Sequence, residues 1–318
     1  MLTIHADQIP ADLSPSVATI GFFDGVHLGH QHLIAQVVGE ARKDGLDAMV
    51  VTFDNHPRQV TSPEFIPQML TTEDEKLVNL AGTGIDTCAL FHFTPQLAAL
   101  SAREFMQQVL HDRLHVRKLV IGYDNRFGHN RSEGFDDYVR HGKQMGIEVI
   151  ASTPFAIDGQ AVSSSRIRRL LAKGEMTEAA RCLGRPYLLV GKVVEGYQLG
   201  RRLGFPTANL DMGCEGKLLP AAGVYAVKVR TEGSMEMRHA VMNIGSRPTF
   251  GGDETSVEVH IINFEGNLYG HHVVVAVGER LRGEQKFTSS DALAEQMRQD
   301  VERAEQLFDI EKTREDEE

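Results

Sequence analysis

The sequence predicts an α/β domain built on a mostly parallel sheet, followed by a small antiparallel β-barrel and a C-terminal helix. Three observations predict it. Short apolar runs alternate with amphipathic segments up to about residue 183, the pattern of a sheet covered by helices. Beyond that point, short alternating strands follow one another between turn residues, as they do in small barrels. The length of 318 residues leaves room for two domains at about 150 residues each.

In the first part, strands are expected at 17–20, 49–53, 87–93, 118–122 and 148–152. Leu33, Ile34, Val37, Val38 and Ala41 recur at helical spacing, as do Phe105, Val109 and Leu110 within 102–114. Ligands of such sheets sit at the carboxyl ends of the strands. The pattern changes at Gly184-Arg185-Pro186, so the expected domains are 1–184 and 185–318. Strands then follow at 188–194, 224–230, 237–243, 257–263 and 272–277, punctuated by Glu232-Gly233 and Glu265-Gly266-Asn267. A final helix carries Leu293, Met297, Val301, Ala304 and Phe308 on one stripe, with Ser289, Ser290 or Asp291 as its cap. The charged tail 312–318 is expected to fray.

Composition narrows the function. Apolar residues at 42% and charged residues at 24% are ordinary for a globular chain, and the formal charge is −11. Such a charge disfavours non-specific nucleic-acid binding, which depends on Lys and Arg at phosphates. It leaves nucleotide binding open, because a local cluster of donors can hold a phosphate inside an acidic protein. Cys88, Cys182 and Cys214 lie far apart with no C-x-x-C, which reads as reduced thiols in the cytoplasm. The N-terminal residues lack a basic stretch followed by an apolar run, and no segment approaches the ~20 apolar residues of a membrane span. The expectation is a soluble cytoplasmic protein.

Residues 21–30, GFFDGVHLGH, follow an apolar strand and open an amphipathic helix. A helix N-terminus there offers unpaired N–H donors and a positive dipole end to an anion. His27 and His30 are three apart and project from one side of the first turn. They read either as a capping or surface pair, or as donors to charge developing on a transferring phosphate. A metal centre lacks a third ligand at a supporting spacing. Both G-x-G-x-x-G and the Walker A ending are absent. Ser163, Ser164 and Ser165 precede a helical segment carrying Arg166 and Arg168. That is either a plain N-cap with solvated arginines or a phosphate grip of hydroxyls and fork-shaped guanidinium donors.

In the second part, Gly196, Gly200 and Gly204 punctuate a loop that leads into Phe205-Pro206-Thr207-Ala208-Asn209. If this piece is extended, Thr207 and Asn209 share a face, and their hard oxygen atoms suit Mg²⁺ bridged to nucleotide phosphates. Generic barrel turns have the same look. Glu258 alternates with Val257 and Val259. It is either half of a cross-strand ion pair or a general base within reach of an alcohol.

GFFDGVHLGH resembles the G-x-F-D-G-x-H-x-G-H signature of the H-x-G-H nucleotidylyltransferases. With Thr52-Phe53-Asp54-Asn55-His56-Pro57, Gly122-Tyr123-Asp124-Asn125-Arg126-Phe127-Gly128 and Ser163-Ser164-Ser165-Arg166-Ile167-Arg168, the chain is similar to the bacterial bifunctional riboflavin kinase/FAD synthetase family over about residues 15–308. In the barrel, Gly204-Phe205-Pro206-Thr207-Ala208-Asn209 resembles the riboflavin kinase P-T-A-N element. Asn243-Ile244-Gly245-Ser246-Arg247-Pro248-Thr249-Phe250 and Leu268-Tyr269-Gly270 match further family elements. Val162 stands for the family's Ile and Ser165 for its Thr, which keeps the hydroxyl; Asn125 stands where the family often has Phe.

The resemblance implies a Rossmann-like nucleotidylyltransferase domain, then a riboflavin kinase barrel. It implies phosphorylation of riboflavin to FMN by ATP, then adenylylation of FMN to FAD with release of pyrophosphate, with Mg²⁺ on the phosphates. The partners it implies are the small molecules riboflavin, FMN and ATP. For the first domain it implies His27, His30 and Arg168 as catalytic groups. Gly21, Phe22, Asp24, Gly29, Ser163, Ser164, Ser165 and Arg166 would lie at ATP, and Asp124 and Arg126 toward the flavin. For the barrel it implies Glu258 as catalytic base, Gly200, Gly204, Thr207 and Asn209 at ATP, and Thr207 and Asn209 at the metal. Arg280 and the loop after it would lie toward the flavin. The alternative is a nucleotidylyltransferase for another phosphorylated small molecule with an accessory barrel.

Overall fold

The computed structural model describes residues 1–62, 64–122, 125–196, 200, 203–213, 216–249 and 252–315. They form two compact units, Met1–Ser164 and Ser165–Glu318.

The first unit holds a six-stranded sheet whose five pairings are all parallel. Its strands are β1 (Leu2–His5), β2 (Ser16–Ile20), β3 (Asp47–Phe53), β4 (Thr87–Phe91), β5 (Val116–Ile121) and β6 (Glu148–Ala151), in spatial order β1-β4-β3-β2-β5-β6. β2 and β4 are buried along their whole length, which is why the sequence there reads as continuous apolar runs rather than alternation. Alternate residues face opposite layers. Val17, Val50, Cys88 and Val120 pack with Leu33, Ile34, Val37 and Ala41 of helix α1 (Leu28–Asp44). Ala18, Met49, Ala89 and Leu119 pack with Phe105, Val109 and Leu110 on the other side. Those three come from a helix that starts at Ala102 and widens into a π-turn over Met106–His111.

From β2 the chain winds one way through β3 and β4, then returns to the other side of β2 with β5. The carboxyl ends of β2 and β5 therefore flank the point where the winding reverses, the place such sheets bind ligands. Helix α1 ends at Gly45, whose φ of 68° supplies the left-handed cap. The edge strand β1 was not expected from the sequence.

Two short strands, β7 (Ala156–Ile157) and β8 (Gln160–Ala161), close the first unit as a hairpin. In the second unit a closed antiparallel barrel runs β10-β13-β12-β11-β14-β9, with β9 (Tyr187–Val194), β10 (Ala208–Asp211), β11 (Gly223–Thr231), β12 (Arg238–Thr249), β13 (Gly252–Ile261) and β14 (His272–Arg282). The buried positions alternate, as Leu189, Val193, Met242, Ile244, Val257 and Val259 show. The final helix (Ser290–Glu315) starts at its cap Ser289, whose Oγ accepts from Ala292 N at 3.2 Å. It lays Ala304 and Phe308 on Val224, Ala226 and Leu281. Asp300, 5% exposed, takes a two-toothed ion pair from Arg282 at 2.8–3.1 Å. This helix continues through 312–315, where fraying was expected.

The units part at Ser164, whereas the sequence placed its division at 184. Gly184 does end a helix, Met176–Leu183, with φ 72°. That helix packs on β9 and β14, and the helix before it, Ser164–Lys173, accepts a hydrogen bond at Leu171 O from Ala221 N at 2.9 Å. Both helices therefore associate with the barrel.

Candidate functional site

The turn after β2 is held in an unusual backbone path. Phe23, Gly25 and Val26 have φ of 55°, 84° and 38°, and a β-branched residue at positive φ is strained. Burial keeps it there, since Phe23 is 2% and Val26 1% exposed. Asp24, 2% exposed, supplies the clamp. Its carboxylate accepts from Leu70 N at 2.9 and 3.1 Å, from Thr71 N at 3.1 Å and from the Thr71 hydroxyl at 3.3 Å. Thr71 Oγ1 in turn accepts from Gly25 N at 3.1 Å. These oxygens are turned to residues 70 and 71, and Asp24 thereby shapes the turn.

His27 caps α1, its Nδ1 accepting from His30 N at 3.2 Å. A neutral His27 then carries its proton on Nε2. The His30 ring stacks on His27 with centroids 3.6 Å apart and planes 16° apart, and meets the edge of Phe23 at 5.1 Å. Burial, and then the neighbouring His27, hold the His30 imidazole well below its ordinary pKa, so it is neutral at physiological pH. Its Nδ1 is buried with no hydrogen-bond partner. Gly29 is closely packed: a Cβ there would lie 3.1 Å from Val162 O and 3.2 Å from the His27 ring, so these neighbours would have to give by a few tenths of an ångström. Ser164 Oγ donates to Asp24 O at 3.0 Å, tying the first residue of its helix to the turn.

Next to this turn the carboxyl ends of β2–β5 enclose a cavity of about 150 Å³. Aromatic rings dominate its wall, namely Phe22, Phe53, Phe93, Phe105 and Phe127, and Gly21, Asn125 and Arg126 also line it. Asn125 Nδ2 donates to Ile20 O at 2.5 Å, joining the loops that follow β5 and β2. Asn55 holds Phe93 from both sides, accepting from its N at 2.7 Å and donating to its O at 2.9 Å. Arg126 is exposed at the cavity. Asp124 lies outside the described residues.

Ser163, Ser165, Arg166 and Arg168 stand at or near the start of the Ser164–Lys173 helix. Ser164 and Arg168, four apart, share one helical face; Arg166 does not share it with Arg168. The Arg166 charge instead bears on Cys182 of the next helix, drawing that thiol down against the dominant upward push of burial.

In the barrel, Asn209 of β10 stands directly opposite Glu258 of β13, and Glu258 stands opposite Asn243 of β12. Val257 and Val259 point into the core at 2% and 1% exposure, so Glu258 faces outward as expected. Thr207 Oγ1 lies 3.4 Å from Glu258 Oε2. Gly196 and Gly200 close over this row: a Cβ at Gly196 would sit 2.1 Å from Asn209 Nδ2, and one at Gly200 would sit 2.3 Å from Phe205 O and 3.3 Å from Thr207 Oγ1. Gly204 turns the loop with φ 85°. His260 pins it, its Nδ1 2.9 Å from Pro206 O. A cavity of about 570 Å³ opens beside Thr207, lined also by Phe264, Asn267 and Tyr269.

Arg280 of β14 is held by the barrel itself. Its Nη2 donates to Ala222 O, and its chain packs so tightly on Gly223 that a Cβ there would be 2.7 Å from Nε. It braces the start of β11. The sequence reading missed the 70–71 clamp, the aromatic cavity wall and Lys76; only the Thr72–Glu75 capping box was a local signal for this region.

Fold and clusters together define a two-unit protein: a parallel-sheet domain with a histidine-capped anion-type turn, and a barrel with a Thr-Asn-Glu row. A family model described as FAD synthetase matches residues 9–166, and one described as riboflavin kinase matches 183–308. The bifunctional riboflavin kinase/FMN adenylyltransferase of Escherichia coli (strain K12) is 37% identical over 93% of this chain and 94% of its own length. The protein of the same description from Haemophilus influenzae is 38% identical over 91% and 93%. A crystal structure described as a macrolide-efflux protein from Streptococcus pneumoniae superposes with a TM-score of 0.88 at 32% identity, covering 96% of this chain and 99% of that one. Among the described residues here, no helix is long and apolar enough to cross a membrane. The chain belongs to the bifunctional riboflavin kinase/FMN adenylyltransferase family.

Proposed function

We propose that the barrel transfers the γ-phosphoryl group of ATP to riboflavin, and that the N-terminal domain joins the FMN so formed to AMP from a second ATP. The observation that supports this most directly is that the stacked His27–His30 pair stands in the first unit and the Thr207–Asn209–Glu258 row in the second. The alternative of an adenylyl-transfer domain with an accessory barrel is not favoured, because the Thr207, Asn209 and Glu258 row is intact.

In the barrel, Glu258 takes the proton of the terminal ribityl hydroxyl as its oxygen attacks the γ-phosphorus, and ADP leaves. Thr207 and Asn209 fit Mg²⁺: both offer neutral hard oxygens on neighbouring sites, the one or two protein ligands a nucleotide-bound Mg²⁺ takes. Bound there, the ion would neutralise charge on the phosphate oxygens. Gly200 and Gly204 let the loop lie close to the nucleotide.

In the N-terminal domain, an FMN phosphate oxygen attacks the α-phosphorus and pyrophosphate leaves, so no protein nucleophile is needed. His27 and His30, stacked and with His30 neutral, act as hydrogen-bond donors to that phosphate, with the Ser164 hydroxyl beside the same turn. The aromatic cavity takes the flavin ring, with Arg126 at its edge. As functional domains we keep 1–184 and 185–318. We place the protein in the cytoplasm, in keeping with Cys88 and Cys182, both buried free thiols. Incubating the chain with riboflavin, ATP and Mg²⁺ and separating the flavins by chromatography tests the reading: FMN should appear first and FAD after it. Formation of neither would overturn it.

A further inference from the structure

Lys76, in the helix Glu73–Ala81, is 2% exposed, and neither activity uses it. Its Nζ donates to Phe53 O at 2.5 Å and stands 4.8 Å from the centroid of the Phe22 ring. An ammonium has three N–H donors; here one meets a carbonyl and the π-face of Phe22 receives the charge. The other side of that arrangement is fixed as well. The His56 ring meets Phe22 edge-on at 4.7 Å, and Phe65 packs on His56 at 5.0 Å, with the Arg58 guanidinium 4.3 Å from the Phe65 centroid. Phe22 and Phe53 both wall the aromatic cavity. One buried cation thus holds two neighbouring elements of that wall at once, a ring by its face and a strand end by its last carbonyl.

We propose that Lys76 is a positioning residue of the adenylyl-transfer domain, setting the Phe22 ring and the end of β3 as the surface on which the ring system of FMN lies. This rests on the reading of that cavity as the flavin pocket. Lys76 itself touches no substrate and acts through Phe22 and Phe53. Burial lowers its pKa, and the charges of Glu73, Asp24 and Asp54 oppose that shift.

The test is steady-state FAD formation from supplied FMN by the full-length chain, with KM for FMN, KM for ATP and kcat measured separately. Lys76→Met should raise KM for FMN about tenfold and leave kcat and KM for ATP within about twofold. Lys76→Arg, which keeps the cation, should recover most of the loss. In a Phe22→Leu background, Lys76→Met should raise KM clearly less than the roughly tenfold it costs alone, because the face it holds is gone and only its grip on Phe53 O remains. Parallel loss of kcat and both KM values, or full additivity with Phe22→Leu, would overturn the proposal. Should Lys76→Met fail to fold, the pair Lys76→Arg and Phe22→Leu decides: a KM for FMN unmoved by Phe22→Leu sinks it. A wild-type chain that makes no FAD from FMN would instead sink the functional reading beneath it.

Discussion

Gly196 stands so close to Asn209 that a Cβ on it would lie 2.1 Å from the Asn209 amide nitrogen and 2.7 Å from the amide oxygen. A side chain at position 196 therefore competes with the Asn209 amide for its place in the Thr207–Asn209 row. Gly196→Ala leaves Asn209 to rotate out of its place. Riboflavin phosphorylation should fall at least about tenfold, in line with small displacements of positioning groups, while FAD formation from supplied FMN continues. Equal loss of both activities would show a folding defect instead.

Glu258 is flanked on both sides, by Asn209 on β10 and by Asn243 on β12, with Thr207 Oγ1 at 3.4 Å. A base fixed in the middle of three paired strands has little freedom. Glu258→Gln keeps the shape and removes the proton acceptor, so FMN formation should drop by ~10²–10⁴. Assayed with FMN and ATP, the same protein should make FAD at its normal rate. Retained phosphorylation in Glu258→Gln would assign the proton to another group.

His30 supplies the reciprocal experiment. Its ring lies on His27 with 3.6 Å between centroids, and His30→Ala should lower adenylyl transfer ~10²–10³-fold without touching the kinase. The pH dependence follows from the depressed pKa. In the unfolded chain the imidazole takes a proton as pH falls below about 6.5, while in the folded chain it resists until a lower pH. Stability contributed by neutral His30 is thus fully present above about 6.5 and is lost as pH falls from there through the folded value. Unfolding midpoints in urea, measured from pH 7.5 downward, should decline less steeply in His30→Asn than in the wild type. Identical slopes would place the burial of this ring in doubt.

The legible and illegible parts of the molecule differ for a physical reason. Ile34, Val37 and Ala41 on α1, or Val257 and Val259 on β13, repeat at the period of their element, so strands and helices could be read within a few residues. That His27 and His30 share one side of the first turn, and that Glu258 faces away from Val257 and Val259, were legible because each follows from the period of a single element. The Arg280 contact was illegible because a strand residue near a loop looks the same whether its guanidinium meets a ligand or a backbone oxygen such as Ala222 O. Lys76, Asn55 and Asn125 act on Phe53, Phe93 and Ile20, between 23 and 105 residues away, and no local pattern encodes such partners. The edge strand β1 pairs only with β4, too short at four residues to leave a periodic trace.

Asp24 tests that distinction most sharply, since its position within GFFDGVHLGH suggested a ligand contact and its geometry shows a clamp. Buried at 2% exposure, its carboxylate accepts the N–H groups of Leu70 and Thr71 and the Thr71 hydroxyl. Hydrogen bonds to a buried charge are worth about 1.5–3 kcal/mol each, and an orphaned donor adds its own penalty. Asp24→Asn is nearly isosteric, yet it turns an amide NH₂ toward groups that themselves donate. The N-terminal unit should lose roughly 2–4 kcal/mol, a drop of several degrees in its melting temperature at about 2–4 °C per kcal/mol. Thr71→Val, which removes only the hydroxyl, should lower it less. Adenylyl transfer at a temperature where Asp24→Asn is still folded should keep KM for ATP close to the wild-type value. An unchanged melting temperature together with a large rise in KM for ATP would reverse the assignment and return Asp24 to the nucleotide.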